Sequence, residues 1–156
     1  MAIAMSVERY LKDQHIPYDV LPHERTMSSM QTALAAHVPP HRIAKAVLLE
    51  DDGGFLVAVL PADRHVHLGM LREELGRRIG LATEREVMEV FGDCALGAIP
   101  ALAQAYGIET VLDDELMEQP EVYFEAGSHE ELIHLSRLHF LQLFRDAPHV
   151  HFARTQ

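Results

Sequence analysis

Two short stretches of the sequence contain residue types that suit acyl-transfer chemistry. The first is Cys94–Pro100, a run of small residues that contains Gly97 and is closed by Pro100. Glycine lets a ligand or another backbone segment come close, and proline stiffens the end of the loop. Such a loop can direct backbone N–H groups at a carbonyl oxygen or an oxyanion. The second stretch holds Lys45, one of two lysines in a chain with eleven arginines, beside an apolar run.

Lys45 has two interpretations. A lysine at the end of a strand can extend its ammonium group into water, because lysine is seldom fully buried. Alternatively, the ammonium group lies at the rim of a pocket between two paired strands. There it can hold a terminal phosphate or polarise a carbonyl. The residues around Lys45 are compatible with both interpretations.

The strands that position Lys45 are predicted from the apolar pattern. Lys45–Glu50 and Phe55–Leu60 are short apolar runs, and Asp51–Gly54 between them has the composition of a tight hairpin turn. Further strands are predicted at 17–22, 108–112, 122–125 and 131–135, and helices at 6–14, 28–36, 68–79, 83–91 and 136–144. Because helices and strands alternate irregularly and several strand pairs are hairpins, the sequence predicts an α/β domain with a mixed sheet.

The helix that precedes the small-residue loop has recognisable end signals. Thr83 and Glu86 have the spacing of a capping box, and Gly92 is expected to end the helix. The acidic run Asp113–Glu118 is interpreted as a solvated helix start, because carboxylates are favoured in the first turn.

Two further residues have both a chemical and a structural interpretation. Asp63 either positions a water or accepts a hydrogen bond from a substrate amine, or it is an ordinary turn aspartate. Cys94 is interpreted as a small buried hydrophobic side chain rather than a nucleophile, because a thiol needs a neighbouring cation or helix end to ionise.

Eleven histidines are the most unusual feature of the composition. His65 with His67, and His149 with His151, are each expected on one face of a strand, a geometry that can bind zinc. Neither pair has a cysteine or carboxylate at ligand spacing. We therefore expect surface histidines, with no metal and no other cofactor.

Length and composition indicate one folded domain over residues 1–156, with 48% hydrophobic and 24% charged residues. No apolar run approaches the roughly 20 residues of a membrane span, and the first residues lack a signal-peptide pattern. A single cysteine forms no internal disulfide, so a reducing cytoplasm is expected, with no membrane partner.

The net charge of −11 is unevenly distributed. Residues 86–156 carry thirteen acids and three arginines, whereas residues 42–85 carry seven bases and seven acids. A nucleic-acid-binding protein normally has a basic face, because phosphate contacts supply much of its affinity. The charge pattern therefore predicts at most weak autonomous binding of nucleic acid, through residues 42–85.

Several motifs, taken in order, resemble the YbaK/prolyl-tRNA-synthetase-associated editing domain family, whose members hydrolyse mischarged aminoacyl-tRNA. The resemblance covers roughly residues 17–144. Its carriers are His23 with Thr26 and Ala33, Ala44–Val47, Phe55–Asp63, Phe91–Pro100 and Glu125–Ser128. The resemblance implies a mixed, largely antiparallel, barrel-like sheet surrounded by helices.

The resemblance also implies the site residues and the reaction. Lys45 is expected to hold the terminal nucleotide, Gly97 and Ala98 to offer backbone N–H groups to the carbonyl, and Pro100 to complete the catalytic loop. The substrate contacts that it implies are His23, Thr26, Asp63, Gly92 and Gly127. The expected reaction is hydrolysis of the ester between a small amino acid (Ala, Ser or Cys) and the 3′ end of a tRNA(Pro)-like tRNA. A terminal hydroxyl of the tRNA would help to activate water.

Two other classes of function remain open from the sequence. The chain could be a non-catalytic module that binds tRNA or an aminoacyl-tRNA synthetase through the same pocket, which the acidic C-terminal half would allow. It could also be a metal-dependent hydrolase of a small ester that uses His65 and His67. Tolerance of substitution at Lys45 would favour the module, and stoichiometric zinc would favour the metal enzyme.

Overall fold

Helices and strands alternate irregularly along residues 3–95 and 98–155, the ranges that the computed structural model describes. The strands are β1 Asp19–Pro22, β2 Ile43–Asp51, β3 Gly54–Pro61, β4 His65–Val66, β5 Gly80–Leu81, β6 Glu109–Asp113, β7 Glu121–Glu125, β8 Glu131–Ser136, β9 His149–Val150 and β10 Ala153–Arg154. The helices are α1 Met5–Asp13, α2 Ser29–Ala36, α3 Leu68–Leu75, α4 Glu84–Val90, α5 Asp114–Met117 and α6 Arg137–Leu143, with 3₁₀ turns at Pro40–Arg42 and Ala103–Tyr106. The predicted α/β class is confirmed.

Eight of the strands form one mixed sheet. Seven of them run in the order β1-β8-β7-β2-β3-β6-β9, and β5 pairs with β2, while β4 and β10 pair separately. The pairs β2–β7, β3–β6 and β6–β9 are parallel, and the other pairs are antiparallel. The predicted mixed, largely antiparallel sheet is confirmed. Its barrel-like closure is not, because β1 and β9 end the path at opposite edges and no pairing in the described ranges joins them.

The hairpin between β2 and β3 is the longest pairing in the sheet, and it forms where the sequence predicts it. Its register runs from Ala44 opposite Pro61 to Asp51 opposite Gly54. The Gly53 N–H donates to Asp51 Oδ1 at 2.8 Å, and Gly54 has φ of +142°, which residues with a Cβ rarely adopt. The turn therefore fixes the register that places Lys45 opposite Leu60.

The two faces of β2 pack against different parts of the core, because side chains alternate along a strand. Ala44 and Leu48 belong to the largest apolar cluster, with Phe124 of β7. Leu49 belongs to a second cluster, and Ile43 to a third that α2 covers with Ala33. Lys45 lies two residues after Ile43 and therefore on the same face of β2, the face of the second and third clusters.

The ends of α3 and α4 differ from those that the sequence predicts. α3 stops at Leu75 rather than at Ile79, because Gly76 takes the left-handed conformation at φ +64°. α4 stops at Val90, and Phe91 rather than Gly92 is its cap residue. The capping box of Thr83 and Glu86 at the other end of α4 is confirmed.

The expectation that each histidine pair lies along one strand is wrong. β4 ends at Val66, and His67 caps α3 by accepting the Met70 N–H on Nδ1 at 3.0 Å. β9 likewise ends at Val150, before His151. Within the described residues no group of three or more His, Cys, Asp or Glu side chains is placed to hold a metal ion.

Candidate functional site

Lys45 lies where the sheet opens between β2 and β7. These strands pair in parallel at only two positions, Ile43 with Tyr123 and Ala44 with Phe124. Further along, the same edge of β2 pairs with β5, beginning at Leu49. In the described sheet the segment between these contacts pairs with β3 alone. We call the opening beside residues 45–47 the strand gap.

The ammonium group of Lys45 is held at the end of β3, where it is half-buried. Its Nζ donates to the carbonyl oxygen of Ala62 at 3.3 Å. Burial lowers the pKa of Lys45 below its usual value, and the nearby carboxylate of Asp63 partly opposes this shift. Lys45 is therefore neither a freely solvated surface lysine nor a neutralised core residue.

Asp63 lies near Lys45 and also forms an ion pair with Arg64. Its Oδ2 lies 3.3 Å from Arg64, and Arg64 Nε lies 3.2 Å from Glu115. Oδ1 of Asp63 is buried and has no hydrogen-bond partner in the described ranges. The carboxylate is thus positioned by Arg64 and has one oxygen left to accept a hydrogen bond.

The turn after β7 forms the far side of the strand gap. Gly127 has φ of +103°, and a Cβ there would lie 2.6 Å from the Cβ of Ala4, so this position requires glycine. The Gly127 carbonyl accepts the Ala95 N–H at 2.8 Å. That hydrogen bond joins the small-residue loop to the turn.

The structure describes the small-residue loop at residues 94–95 and 98–100. Ala98 and Pro100 are buried, and the Ala98 N–H donates to the Ala95 carbonyl at 3.0 Å. The Ala98 N–H therefore reaches a substrate oxygen only by exchanging this hydrogen bond. Gly97 lies outside the described residues.

The segment after β1 brings His23 and Thr26 beside the same turn. The His23 N–H donates to the Glu130 carbonyl at 2.8 Å, and the Thr26 N–H donates to the His129 carbonyl at 3.3 Å. The His23 ring is fixed by Nδ1, 2.6 Å from the Glu24 carbonyl, and its Nε2 has no hydrogen-bond partner in residues 3–95 and 98–155. The structure therefore places His23 and Thr26 beside the segment that follows Gly127.

A buried polar cluster beside the gap was not identified from the sequence. Its members are Thr26, Thr32, Glu125 and His129, all at least nine-tenths buried. Glu125 accepts a hydrogen bond from Thr32 at 2.8 Å and lies 3.6 Å from His129 Nδ1. Burial raises the pKa of Glu125, while Thr32 and the imidazoles of His129 and His23 oppose the shift. The only sequence signal was a threonine within an alanine-rich helix and a glutamate beside Gly127.

Gly92 and Cys94 have weaker links to the site. A Cβ at Gly92 would meet nothing closer than the Met88 carbonyl at 3.9 Å, so space does not require glycine there. Burial raises the pKa of Cys94 to about 12, and the thiol lies 3.2 Å from the Tyr106 hydroxyl. A thiol that stays protonated at neutral pH is a poor nucleophile, which supports the structural interpretation of Cys94.

A concavity of about 620 Å³ lies at the hairpin end of β2. It is lined by arginines that the charge pattern had suggested as phosphate contacts, namely Arg72, Arg77 and Arg78. Carboxylates line it too, and Arg77 is paired with Asp51 at 2.9 Å and with Glu109 at 2.7 Å. The balanced charges make this concavity a weaker candidate than the strand gap.

Comparison with known proteins identifies the family of the chain. The sequence profile of the aminoacyl-tRNA editing domain matches residues 23–143. The chain therefore belongs to the aminoacyl-tRNA editing domain family, which confirms the resemblance seen in its motifs. No curated protein matches the sequence.

Solved structures share the fold. A hypothetical protein designated APE2540 superposes with a TM-score of 0.84 and 23% identity, over 96% of this chain and 99% of its own. A proposed trans-editing enzyme for prolyl tRNA synthetase gives 0.80 and 21%, over 97% and 96%. A proposed signal transduction protein from Marinobacter aquaeolei VT8 gives 0.77 and 26%, over 97% of this chain but only 31% of its own.

Among the described residues, no helix is both long enough and apolar enough to cross a bilayer.

Proposed function

We propose that the protein is a trans-acting aminoacyl-tRNA deacylase, which hydrolyses the ester of a mischarged amino acid on tRNA. The observation that carries the proposal is Lys45, a partly desolvated cation beside a gap in the sheet, in a chain of the editing domain family. A cation in such a place stabilises negative charge more strongly than one in open water, because solvent screens it less.

The reaction requires no covalent intermediate with the protein. Water adds to the ester carbonyl, the bond between the carbonyl carbon and the ribose oxygen breaks, and the ribose oxygen takes up a proton. Among the described residues no Ser-His-Asp hydrogen-bond chain lies beside Lys45, and burial raises the pKa of Cys94 to about 12. A terminal hydroxyl of the tRNA is therefore the proposed aid to water activation, with the protein supplying position and charge.

The residues of the gap have distinct proposed roles. Lys45 holds the terminal nucleotide or the developing oxyanion, and Asp63 is the proposed acceptor for the substrate amine, through Oδ1, which the substrate would have to uncover. The loop of Gly97, Ala98 and Pro100 frames the aminoacyl group, with Ala98 offering its N–H only after releasing the Ala95 carbonyl. His23, Thr26, Gly92 and Gly127 are the remaining proposed contacts.

The proposed substrates carry small amino acids, namely Ala, Ser or Cys, on a tRNA(Pro)-like tRNA. The fold is shared with a protein described as a proposed trans-editing enzyme for prolyl tRNA synthetase, which supports this choice. Selection by pocket volume suits such substrates, since one methylene changes binding by only about 1–3 kcal/mol. The net negative charge of the chain indicates weak binding of tRNA, and an aminoacyl-tRNA synthetase is the second proposed partner.

The test is deacylation of Ala-, Ser- and Cys-charged tRNA(Pro) at low salt with a chelator present. Lys45→Ala should lower kcat/KM at least about 100-fold, the usual loss when a charge-stabilising donor is removed. Lys12→Ala is the matched control, because Lys12 is the chain's only other lysine and lies at the end of α1. Equal turnover by wild type and Lys45→Ala would refute the role of Lys45. Absence of turnover with every substrate would favour a binding module.

A further inference from the structure

We propose that Glu125 is a positioning residue for deacylation, because its carboxylate joins α2 to the turn 126–129 beside the strand gap that holds Lys45. The inference rests on the proposed function. Glu125 acts through the groups that it holds, so it need not touch the substrate.

One oxygen of Glu125 holds α2. Oε1 lies 2.8 Å from the hydroxyl of Thr32, which also lies 2.6 Å from the hydroxyl of Thr26 and 3.0 Å from the Ser28 carbonyl. Thr32 sits in the middle of α2 and Thr26 on the segment that precedes it. The carboxylate therefore fixes both the helix and a proposed substrate contact.

The other oxygen faces the turn. Oε2 of Glu125 lies 3.6 Å from Nδ1 of His129, an ion-pair distance when the imidazole is protonated. His129 follows Gly127, whose carbonyl holds the small-residue loop through the Ala95 N–H. Glu125 thus links the α2 side of the gap to the side formed by the turn and the loop.

The position of Glu125 on the strand brings this link to Lys45. The last parallel pair between β2 and β7 is Ala44 with Phe124, and Lys45 and Glu125 are the next residue on each strand. Because side chains alternate, both lie on the sheet face of Ile43 and Tyr123. A shift of α2 or of the turn would therefore change the walls next to Lys45.

The direction of the hydrogen bonds depends on whether Glu125 is ionised. The Thr32 hydroxyl has one hydrogen, which it donates to Glu125 when the carboxylate is charged. When Glu125 is protonated, the carboxyl can donate instead, and the Thr32 hydrogen can turn to the Ser28 carbonyl. Among the described residues, His129 from the turn and His23 from the segment after β1 are the titratable groups that act on Glu125, and when protonated they favour its ionised form.

The experiment compares kcat, KM and the pH profile of deacylation in wild type, Glu125→Gln and Thr32→Val, each corrected for uncatalysed deacylation. Glu125→Gln keeps the shape but not the charge, and Thr32→Val keeps the shape but not the hydroxyl. Both should lower kcat about 10–100-fold with KM changed less than about threefold, as expected from small misplacements of reacting groups. Thr32→Ser, which restores the hydroxyl, should recover most of kcat.

The pH profile separates positioning from a merely structural role. In wild type, kcat should fall as the pH drops through the raised pKa of Glu125, and this acid limb should be absent in Glu125→Gln. The matched control is Glu121→Gln, on the same strand and face but at its other end, which should leave kcat and the acid limb unchanged.

Three results would overturn the inference. The first is a kcat and a pH profile in Glu125→Gln that equal those of wild type. The second is a lower melting temperature in Glu125→Gln with kcat unchanged. If Glu125→Gln does not fold, wild-type kcat in Thr32→Val has the same consequence. Loss of activity in Lys45→Ala alongside unchanged kcat in Glu125→Gln refutes only this inference, whereas an inactive wild type refutes the proposed function and this inference together.

Discussion

Replacing Gly127 by alanine tests whether the turn 126–129 is packed against the start of α1. A Cβ at Gly127 would lie 2.6 Å from the Cβ of Ala4 and 3.2 Å from its backbone nitrogen. The Ala4 N–H donates to the Ala126 carbonyl at 2.7 Å. Ala4 can therefore move away only by breaking that hydrogen bond and displacing α1, which buries Val7 and Leu11.

The expected cost has two parts. The φ of +103° at Gly127 imposes about 1–3 kcal/mol of backbone strain on alanine. Overlap with Ala4 adds about 1–3 kcal/mol, the usual range for overpacking. We expect Gly127→Ala to lower the free energy of unfolding by about 2–6 kcal/mol.

Alanine variants at two other glycines distinguish backbone strain from overlap with a neighbour. Gly76 has φ of +64° with no atom within 4 Å of a Cβ, so Gly76→Ala should cost only the left-handed strain of about 1–2 kcal/mol. Gly80 has neither a positive φ nor a neighbour within that distance, so Gly80→Ala should be close to neutral.

A double variant isolates the contact with Ala4. Ala4→Gly removes the closest atom, and it should recover about 1 kcal/mol of the loss in Gly127→Ala after its own effect is subtracted. The measurement is urea unfolding followed by circular dichroism at 25 °C. The packing argument is refuted if Gly127→Ala costs no more than Gly76→Ala, or if the double variant recovers nothing.

Four further predictions follow from particular side chains. Asp113→Ala should lower the free energy of unfolding in urea by about 3 kcal/mol or more, because the fully buried carboxylate accepts three backbone N–H groups. Cys94, with its pKa of about 12, should react with iodoacetamide at pH 8 roughly 100-fold or more slowly in the folded than in the urea-unfolded protein. The pKa of Glu121 is lowered mainly by His134, so its stabilising effect is present above the usual glutamate pKa and is lost as the pH falls through the lowered value. Glu121→Gln should therefore lower the urea midpoint at pH 7, and the difference from wild type should shrink as the pH falls through the lowered pKa. Lys45→Met should raise the melting temperature while abolishing deacylation, because burial of the charged ammonium group destabilises the folded protein and lowers the pKa of Lys45. This destabilisation is full below the lowered pKa and disappears as the pH rises to the usual lysine value.

The parts of the fold that the sequence predicts well are those set by local chemistry. The hairpin at Asp51–Gly54 depends on two aspartates and two glycines in a row, and the start of α4 depends on Thr83 and Glu86. Each of these signals acts within four residues. They could therefore be recognised without knowing what packs on them.

The parts that the sequence predicts poorly depend on distant segments. The early end of α3 has a local signal in Gly76, but the apolar spacing through Ile79 outweighed it. Ile79 is buried because residues 77–81 turn back to pair β5 with β2 rather than because a helix continues. The sheet's failure to close is also nonlocal, since it depends on where β1 and β9 end.

The same distinction applies to the candidate site. Lys45 and Gly127 were identified because their residue types stand out in a motif. Glu125 begins the motif Glu125–Ser128, but neither Glu125 nor Thr32 was identified as a site residue, because their importance comes from a contact between residues 93 positions apart. Polar residues at helix and strand spacing look like surface residues until their burial is known.

Lys45 illustrates why the site lies at the strand gap. At the centre of the β2–β3 hairpin, between apolar clusters, its charge would have no partner. Beside the gap its Nζ reaches the Ala62 carbonyl and faces the Asp63 carboxylate, while burial still lowers its pKa. The termination of the β2–β7 pairing after Ala44 thus provides both features that the proposed chemistry needs. It leaves the edge of β2 beside residues 45–47 without a strand partner in the described sheet, and it places a poorly solvated cation where we propose that the aminoacyl ester binds.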